Sequence, residues 1–114
     1  MTLSVLYLVR TIISKDKEEA FDRWYNEEHV PTILQFRGAV SARRYKAVKD
    51  PEVIAAGKLA NDRFTHLAAY EYQDVDTLTR WFSTPERKEM RSDHESRWGP
   101  IDNWKEAFVQ IWPK

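Results

Sequence analysis

Apolar and polar positions alternate along residues 3–13, with Leu3, Val5, Tyr7 and Val9 on one face and Ser4, Leu6, Leu8 and Arg10 on the other. A period of two predicts a β-strand, and apolar residues on both faces predict one that is covered from both sides. The period then lengthens. Ser14 and Asp16 offer helix N-caps, and Glu19 stands three residues after Asp16 in capping-box spacing. Phe21, Trp24, Tyr25, Glu28 and His29 follow at helical intervals, so this helix presents an aromatic stripe. Pro31 disfavours helical geometry at Val30, which predicts a kink or restart there and an end near Gly38.

Residues 39–48 alternate again as a second strand, and residues 49–63, with Pro51, Gly57 and Asn61, read as a long loop. Residues 63–73 give a third strand that places Phe64, His66, Ala68, Tyr70 and Tyr72 on one face. Asp74 or Asp76 caps a short helix carrying Val75, Leu78, Trp81 and Phe82. Thr84-Pro85 then restarts helix, with Thr as cap and Pro in the first turn, where its missing N–H costs nothing. Met90, His94 and Trp98 share a stripe of that helix, Gly99-Pro100 stops it, and residues 106–112 form the last strand.

The order is β-α-β-β-α-β with the second helix broken in two, an α+β ferredoxin-like arrangement on a four-stranded antiparallel sheet. One domain spanning residues 1–114 is expected. Helices on one face leave the other bare. Because the strands are apolar on both sides, a second copy of the same sheet is the economical cover, and a homodimer is expected.

Composition narrows the function. Eighteen basic residues balance eighteen acidic ones, which argues against nucleic acid as a partner. No stretch has the ~18 apolar residues of a membrane helix, and the N-terminus lacks the pattern of a secretory leader. With no cysteine, disulfides and thiolate chemistry drop out, and a cytoplasmic location is expected. Aromatic residues at 13% point to an aromatic pocket or a large interface, or simply to an aromatic core.

Three short stretches carry a family resemblance: WYNEEHVP (24–31), SARRY (41–45) and FTHLAAYEYQDVDTLTRWFSTPE (64–86). With them the chain resembles the dimeric α/β-barrel superfamily, and within it the EthD-like and stress-responsive barrel families. The resemblance implies cofactor-free chemistry on aromatic or polyketide-like cyclic substrates: oxygenation, cyclisation, isomerisation or decarboxylation. It also implies a pocket between sheet and helices in each subunit. His66 falls on the strand histidine that faces the pocket in the barrel-type cyclases. Their catalytic Tyr and His fall on Trp81 and Arg87, so that pair is not kept.

Read as chemistry, an imidazole at His66 can take a proton from a phenol or an activated carbon, and Tyr70 beside it can polarise the oxygen. The plainer reading is a buried histidine bonded to backbone. His29 lies four residues after Tyr25 and can share a pocket wall with it, or can serve a helix end instead. His94 can reach the pocket from the last helix, but core or surface is the plainer reading. His66, His29 and Tyr70 are therefore the catalytic candidates, with Tyr7, Tyr25, Trp81, Phe82 and Arg87 binding a small apolar or aromatic ligand. Of the adjacent Arg43 and Arg44, one faces each side of a strand, and either can meet a substrate carboxylate. The three histidines lack ligand spacing, so neither metal nor cofactor is expected. Two functions stay open, a cofactor-independent enzyme and a non-catalytic binding or accessory protein. A histidine paired with a tyrosine or carboxylate inside one pocket favours the enzyme.

Overall fold

In a computed structural model, which describes residues 3–99 and 103–113, the chain is an α+β fold with four antiparallel strands in one sheet. Strands β1 (Val5–Thr11), β2 (Ala39–Lys46), β3 (His66–Tyr72) and β4 (Asn103–Val109) lie in the order β2-β3-β1-β4. The helices are α1 (Glu18–Trp24), α2 (Val30–Ile33), α3 (Pro51–Gly57), α4 (Val75–Phe82) and α5 (Pro85–Trp98). Among the described residues, no helix is long and apolar enough to cross a membrane. Pro100, invoked above as a helix stop, lies outside the described residues.

Register fixes the two faces. Tyr7 pairs with Tyr70 and Ala107, and Val9 with Ala68 and Lys105, so these residues share the helix-covered face. Val5, Tyr7, Ala68, Tyr70 and Tyr72 are buried there against Phe21, Trp24, Tyr25, Ile33, Leu78 and Trp81 of the helices. On the opposite face Leu8 pairs with Ala69 and Glu106, and Arg10 with Leu67 and Trp104. Arg10 and Glu106 form an ion pair on that face.

The first helix is continuous through Pro31. Between α1 and α2 the residues Tyr25–His29 form a π turn, in which the Val30 N–H donates to the Tyr25 carbonyl, five residues back. Proline has no N–H to give and its ring crowds the carbonyl four residues before it; a wide turn relieves both problems. The Thr32 hydroxyl donates to the Glu28 carbonyl at 2.7 Å, satisfying a group that the irregular ladder exposes. The break between α4 and α5 follows its caps: Asp74 accepts from the Thr77 N–H at 2.7 Å and Thr84 from the Arg87 N–H at 3.2 Å.

Four expectations need correction. Residues 49–63 are not all loop, because Asp50 caps α3 by accepting from the Glu52 N–H at 2.9 Å with Pro51 in the first turn. The last strand begins at Asn103 and ends at Val109, earlier than 106–112. Phe64 precedes β3 and packs against Trp104 at 4.8 Å, so it leaves the face that His66, Ala68 and Tyr70 share. Ser14 precedes a 3-10 turn at Lys15–Lys17, and neither it nor Asp16 caps α1 through a side chain.

Candidate functional site

The inner face of the sheet and the helices enclose a cavity of about 550 Å³. Tyr7 and Val9 of β1, Tyr70 and Tyr72 of β3, and Lys105 of β4 form its floor. Tyr25 and His29 of the π turn, with Ile33 of α2, close one side. Trp81 of α4 and the α5 residues Arg87, Met90, Arg91, His94 and Glu95 close the other. The volume suits a small ring compound, and the walls combine aromatic surface with a few polar groups, as small-molecule sites do.

The polar groups meet at the π turn. The Tyr25 hydroxyl and His94 Nε2 share a buried hydrogen bond of 3.0 Å, and the His29 ring lies 5.9 Å from that of His94. His29 also stacks on Trp24 at 4.6 Å, which fixes its plane. Burial above all, with the neighbouring His94, holds the pKa of His29 down to about 3. Burial and the Lys105 ammonium lower that of His94. Both imidazoles are therefore neutral bases near pH 7. Burial pushes the hydroxyls of Tyr25, Tyr70 and Tyr72 up, so all three keep their protons. With its proton on Nε2, His94 donates to the Tyr25 oxygen, which leaves His94 Nδ1 as the basic nitrogen and the Tyr25 proton free for a ligand; Arg44, with its guanidinium 4.6 Å over the Tyr25 ring, works against the burial effect on Tyr25.

His66 is not in this cavity, contrary to the expectation that it shares one with Tyr7, Tyr25, Tyr70 or Trp81. It lies in a second, shallower recess with Asp22, Asn26, Arg44 and Lys46. Its Nδ1 is 2.8 Å from the Thr65 hydroxyl, and its Nε2 faces Asp22 at 3.4 Å and Glu18 at 3.7 Å. Burial lowers its pKa, and Asp22 opposes that shift. The reason is spacing. His66 and Tyr70 share a face, but four residues of strand carry them roughly 13 Å apart. Phe21 packs between, 5.5 Å from the His66 ring and 4.7 Å from that of Tyr25.

Of the other candidates, His29, Tyr70, Tyr7, Tyr25, Trp81 and Arg87 line the cavity together. Phe82 stands behind the wall, edge-on to Tyr7 at 5.3 Å and beneath the Arg87 guanidinium at 5.2 Å. Arg44 turns inward but is held by Asp22 at 2.8 Å and Asn26 at 2.9 Å. Arg43 is exposed on the other face, opposite Ala69. Sequence reasoning did not place His94 and Lys105 in the site. His94 shares the stripe of Met90 and Trp98, which was the signal for it; Lys105 falls before the start expected for the last strand. Among the described residues, no group of three or more potential ligands is placed to hold a metal ion.

The family model described as "Domain of unknown function (DUF4286)" matches residues 4–100. No curated protein sequence matches the chain. Among solved structures, an EthD-family protein from Bacillus halodurans C-125 superposes with a TM-score of 0.68 at 18% identity, covering 94% of this chain and 99% of its own. A mutant of SnoaB, a cofactor-independent oxygenase from Streptomyces nogalater, gives 0.60 at 13% identity, covering 97% and 98%. A hydroxynitrile lyase from Passiflora edulis gives 0.64 at 14% identity, covering 99% and 100%. At these identities the likeness is one of fold, and it agrees with the EthD-like, ferredoxin-like resemblance read from the sequence.

Proposed function

The chain belongs to the DUF4286 family, whose function is unknown, and from that premise and the cavity's geometry we propose that it is a cofactor-independent enzyme that moves protons on a small cyclic or aromatic substrate. The observation that carries this reading is the Tyr25–His94 hydrogen bond of 3.0 Å, buried in the wall of a cavity about 550 Å³ in volume. A neutral imidazole can take a proton from a phenol or an activated carbon and return it to another atom of the product. His94 is the base, Tyr25 orients it and supplies a donor, and His29 stands close enough to serve a second transfer. Such a cycle balances for isomerisation or cyclisation with nothing consumed. The fold is shared with a cofactor-independent oxygenase and a hydroxynitrile lyase, so catalysis lies within its range. Of the catalytic residues expected from sequence, His29 and Tyr70 stay in this reading, and His94 takes the place of His66. The non-catalytic binder would have its histidines satisfied by backbone, whereas His94 is paired with a tyrosine side chain.

Proton abstraction can be measured before the substrate is known. In D2O, proton NMR follows hydrogen–deuterium exchange at the acidic carbons of cyclic 1,3-diketones, butenolides and acylphenols. Exchange should be accelerated, and His94→Gln should lower the acceleration on the order of a hundredfold. Compounds that bind yet exchange no faster than in buffer would refute the enzyme and leave the binder.

The same reading includes a second copy of the chain. Leu6, Leu8, Leu67, Tyr45, Trp104 and Phe108 lie on the sheet face that the helices leave uncovered. Leu6, Tyr45, Trp104 and Phe108 are each at least 41% exposed there, and an identical face would bury them all at once.

A further inference from the structure

The cavity lining also carries positive charge that takes no part in the Tyr25–His94 hydrogen bond. Arg87 and Arg91 reach it from successive turns of α5, and Lys105 comes from β4, opposite Val9. Arg91 is paired with Glu95 at 3.4 Å, and Glu95 is the one carboxylate on the lining among the described residues. Among those residues, neither Arg87 nor Lys105 has an acidic partner within ion-pair distance. Arg87 lies over Phe82 and beside the Tyr7 hydroxyl. Burial lowers the pKa of Lys105, Arg91 and Arg87 add to the shift, and Glu95 opposes it.

Tyr72 is an independent observation at the same cavity. Its side chain is fully buried at 0% exposure, and among the described residues its hydroxyl has no hydrogen-bond partner. Buried hydroxyls are normally paired, and an unpaired one on a residue that lines a cavity is a donor that an acceptor bound there can satisfy. It stays protonated because burial raises its pKa, with Tyr7 adding to the rise and Arg87 opposing it. The hydroxyl is thus a donor without a protein acceptor among the described residues, near Arg87 and on the same cavity lining as Lys105.

We infer that this part of the lining is a carboxylate subsite, so that the substrate is a ring-bearing carboxylic acid held by Arg87, Lys105 and the Tyr72 hydroxyl, with its ring turned toward His94. A carboxylate is an acceptor only, with two oxygens to divide among a planar guanidinium, an ammonium and a phenol. The inference rests on the proposed function only in that the cavity receives a small ring compound; it does not need the proton transfer.

The test compares 1-naphthoate with 1-naphthamide, which match in shape and differ in charge, by calorimetry at low salt. Naphthoate should bind at least tenfold tighter, and the ratio should shrink as sodium chloride is raised. Arg87→Gln and Lys105→Gln should each lower the ratio several-fold, weakening naphthoate far more than the amide. Tyr72→Phe should weaken naphthoate binding without lowering Tm, because it removes an unpaired buried hydroxyl; a purely structural tyrosine would not show that combination. Equal affinities for acid and amide, failure of both to bind, or a ratio that survives the Arg87→Gln/Lys105→Gln double variant would overturn the subsite. So would phenyl phosphate binding more tightly than naphthoate. Naphthoate has no acidic C–H to exchange, so a failed exchange experiment removes the enzyme and leaves this ratio standing, whereas a ratio of one removes only the subsite.

Discussion

Acidifying the protein from pH 7.5 to pH 5 should cost about 2 kcal/mol of stability through His29 alone. Burial is the main reason that His29 resists protonation in the fold, and the neighbouring His94, with which a second positive charge would be shared, and Arg44 add to it while Asp93 opposes. Its pKa falls from 6.5 to about 3. The unfolded chain therefore takes up a proton below pH 6.5, and the folded chain does not until about pH 3. The stability that this group contributes is fully present above pH 6.5 and is lost as the pH falls toward 3. At ~1.4 kcal/mol per unit, pH 5 lies one and a half units into that window, which gives the ~2 kcal/mol. His66 and His94, also lowered chiefly by burial, act in the same direction. The assay is urea unfolding at both pH values for the wild type and His29→Phe, which keeps a ring on Trp24 and cannot take a proton. The wild type should lose about 2 kcal/mol more than the variant on acidification. Equal losses in the two proteins would refute the reasoning, since His29 would then titrate alike folded and unfolded.

Tyr25→Phe keeps the ring and removes the partner of His94, so it should slow substrate exchange on the order of tenfold while costing about 1 kcal/mol in unfolding; an unchanged rate would remove Tyr25 from the mechanism. Gly38→Ala should destabilise by about 2–4 kcal/mol in thermal unfolding. Gly38 has φ +102°, and an added Cβ would lie 2.4 Å from the Cγ2 of the buried Thr77; an unshifted Tm would contradict that geometry. Leu8→Asp on the uncovered sheet face should turn a dimeric wild type into a monomer in light scattering, and a monomeric wild type at micromolar concentration would sink the second copy.

The order of elements was legible because β1, β3 and most helices carry a buried face, and burial imposes a period on the sequence. Where burial is missing, so is the signal. Helix α3 has no buried residue, with Val53 at 47% exposure, so nothing but the Asp50-Pro51 cap marked it. Every described β4 side chain from Trp104 to Val109 is exposed, and the strand's start was misplaced accordingly. The misplacement hid Lys105, which register sets opposite Val9 at the cavity. The two histidines differ for another reason. Alternation assigns His66 to a face but not to a position along it, and the strand's rise carries it past Phe21 into another recess. His94 is brought to Tyr25 by the packing of α5 on α1, a contact across 69 residues that no local pattern encodes.

The first helix carries more information than its aromatic stripe. Phe21, Tyr25, His29 and Ile33 recur every four residues, and a regular α-helix turns about 100° per residue. Over the twelve residues from Phe21 to Ile33 that amounts to three turns plus about 120°, which would point Ile33 well away from the face of Phe21. Yet Phe21 and Ile33 are 1% and 5% exposed, in the same core. The π turn at Tyr25–His29 resolves the conflict, because one extra residue in the coil removes about 100° and leaves a mismatch of only about 20°. Pro31 stabilises the wide turn by removing the N–H that a regular helix would need at that point. The turn is thus what keeps Tyr25, His29 and Ile33 on the cavity side in line with Phe21 in the core. A four-residue apolar repeat with a proline two places after its third member is therefore a sequence signal for the π turn, and through the turn for the site.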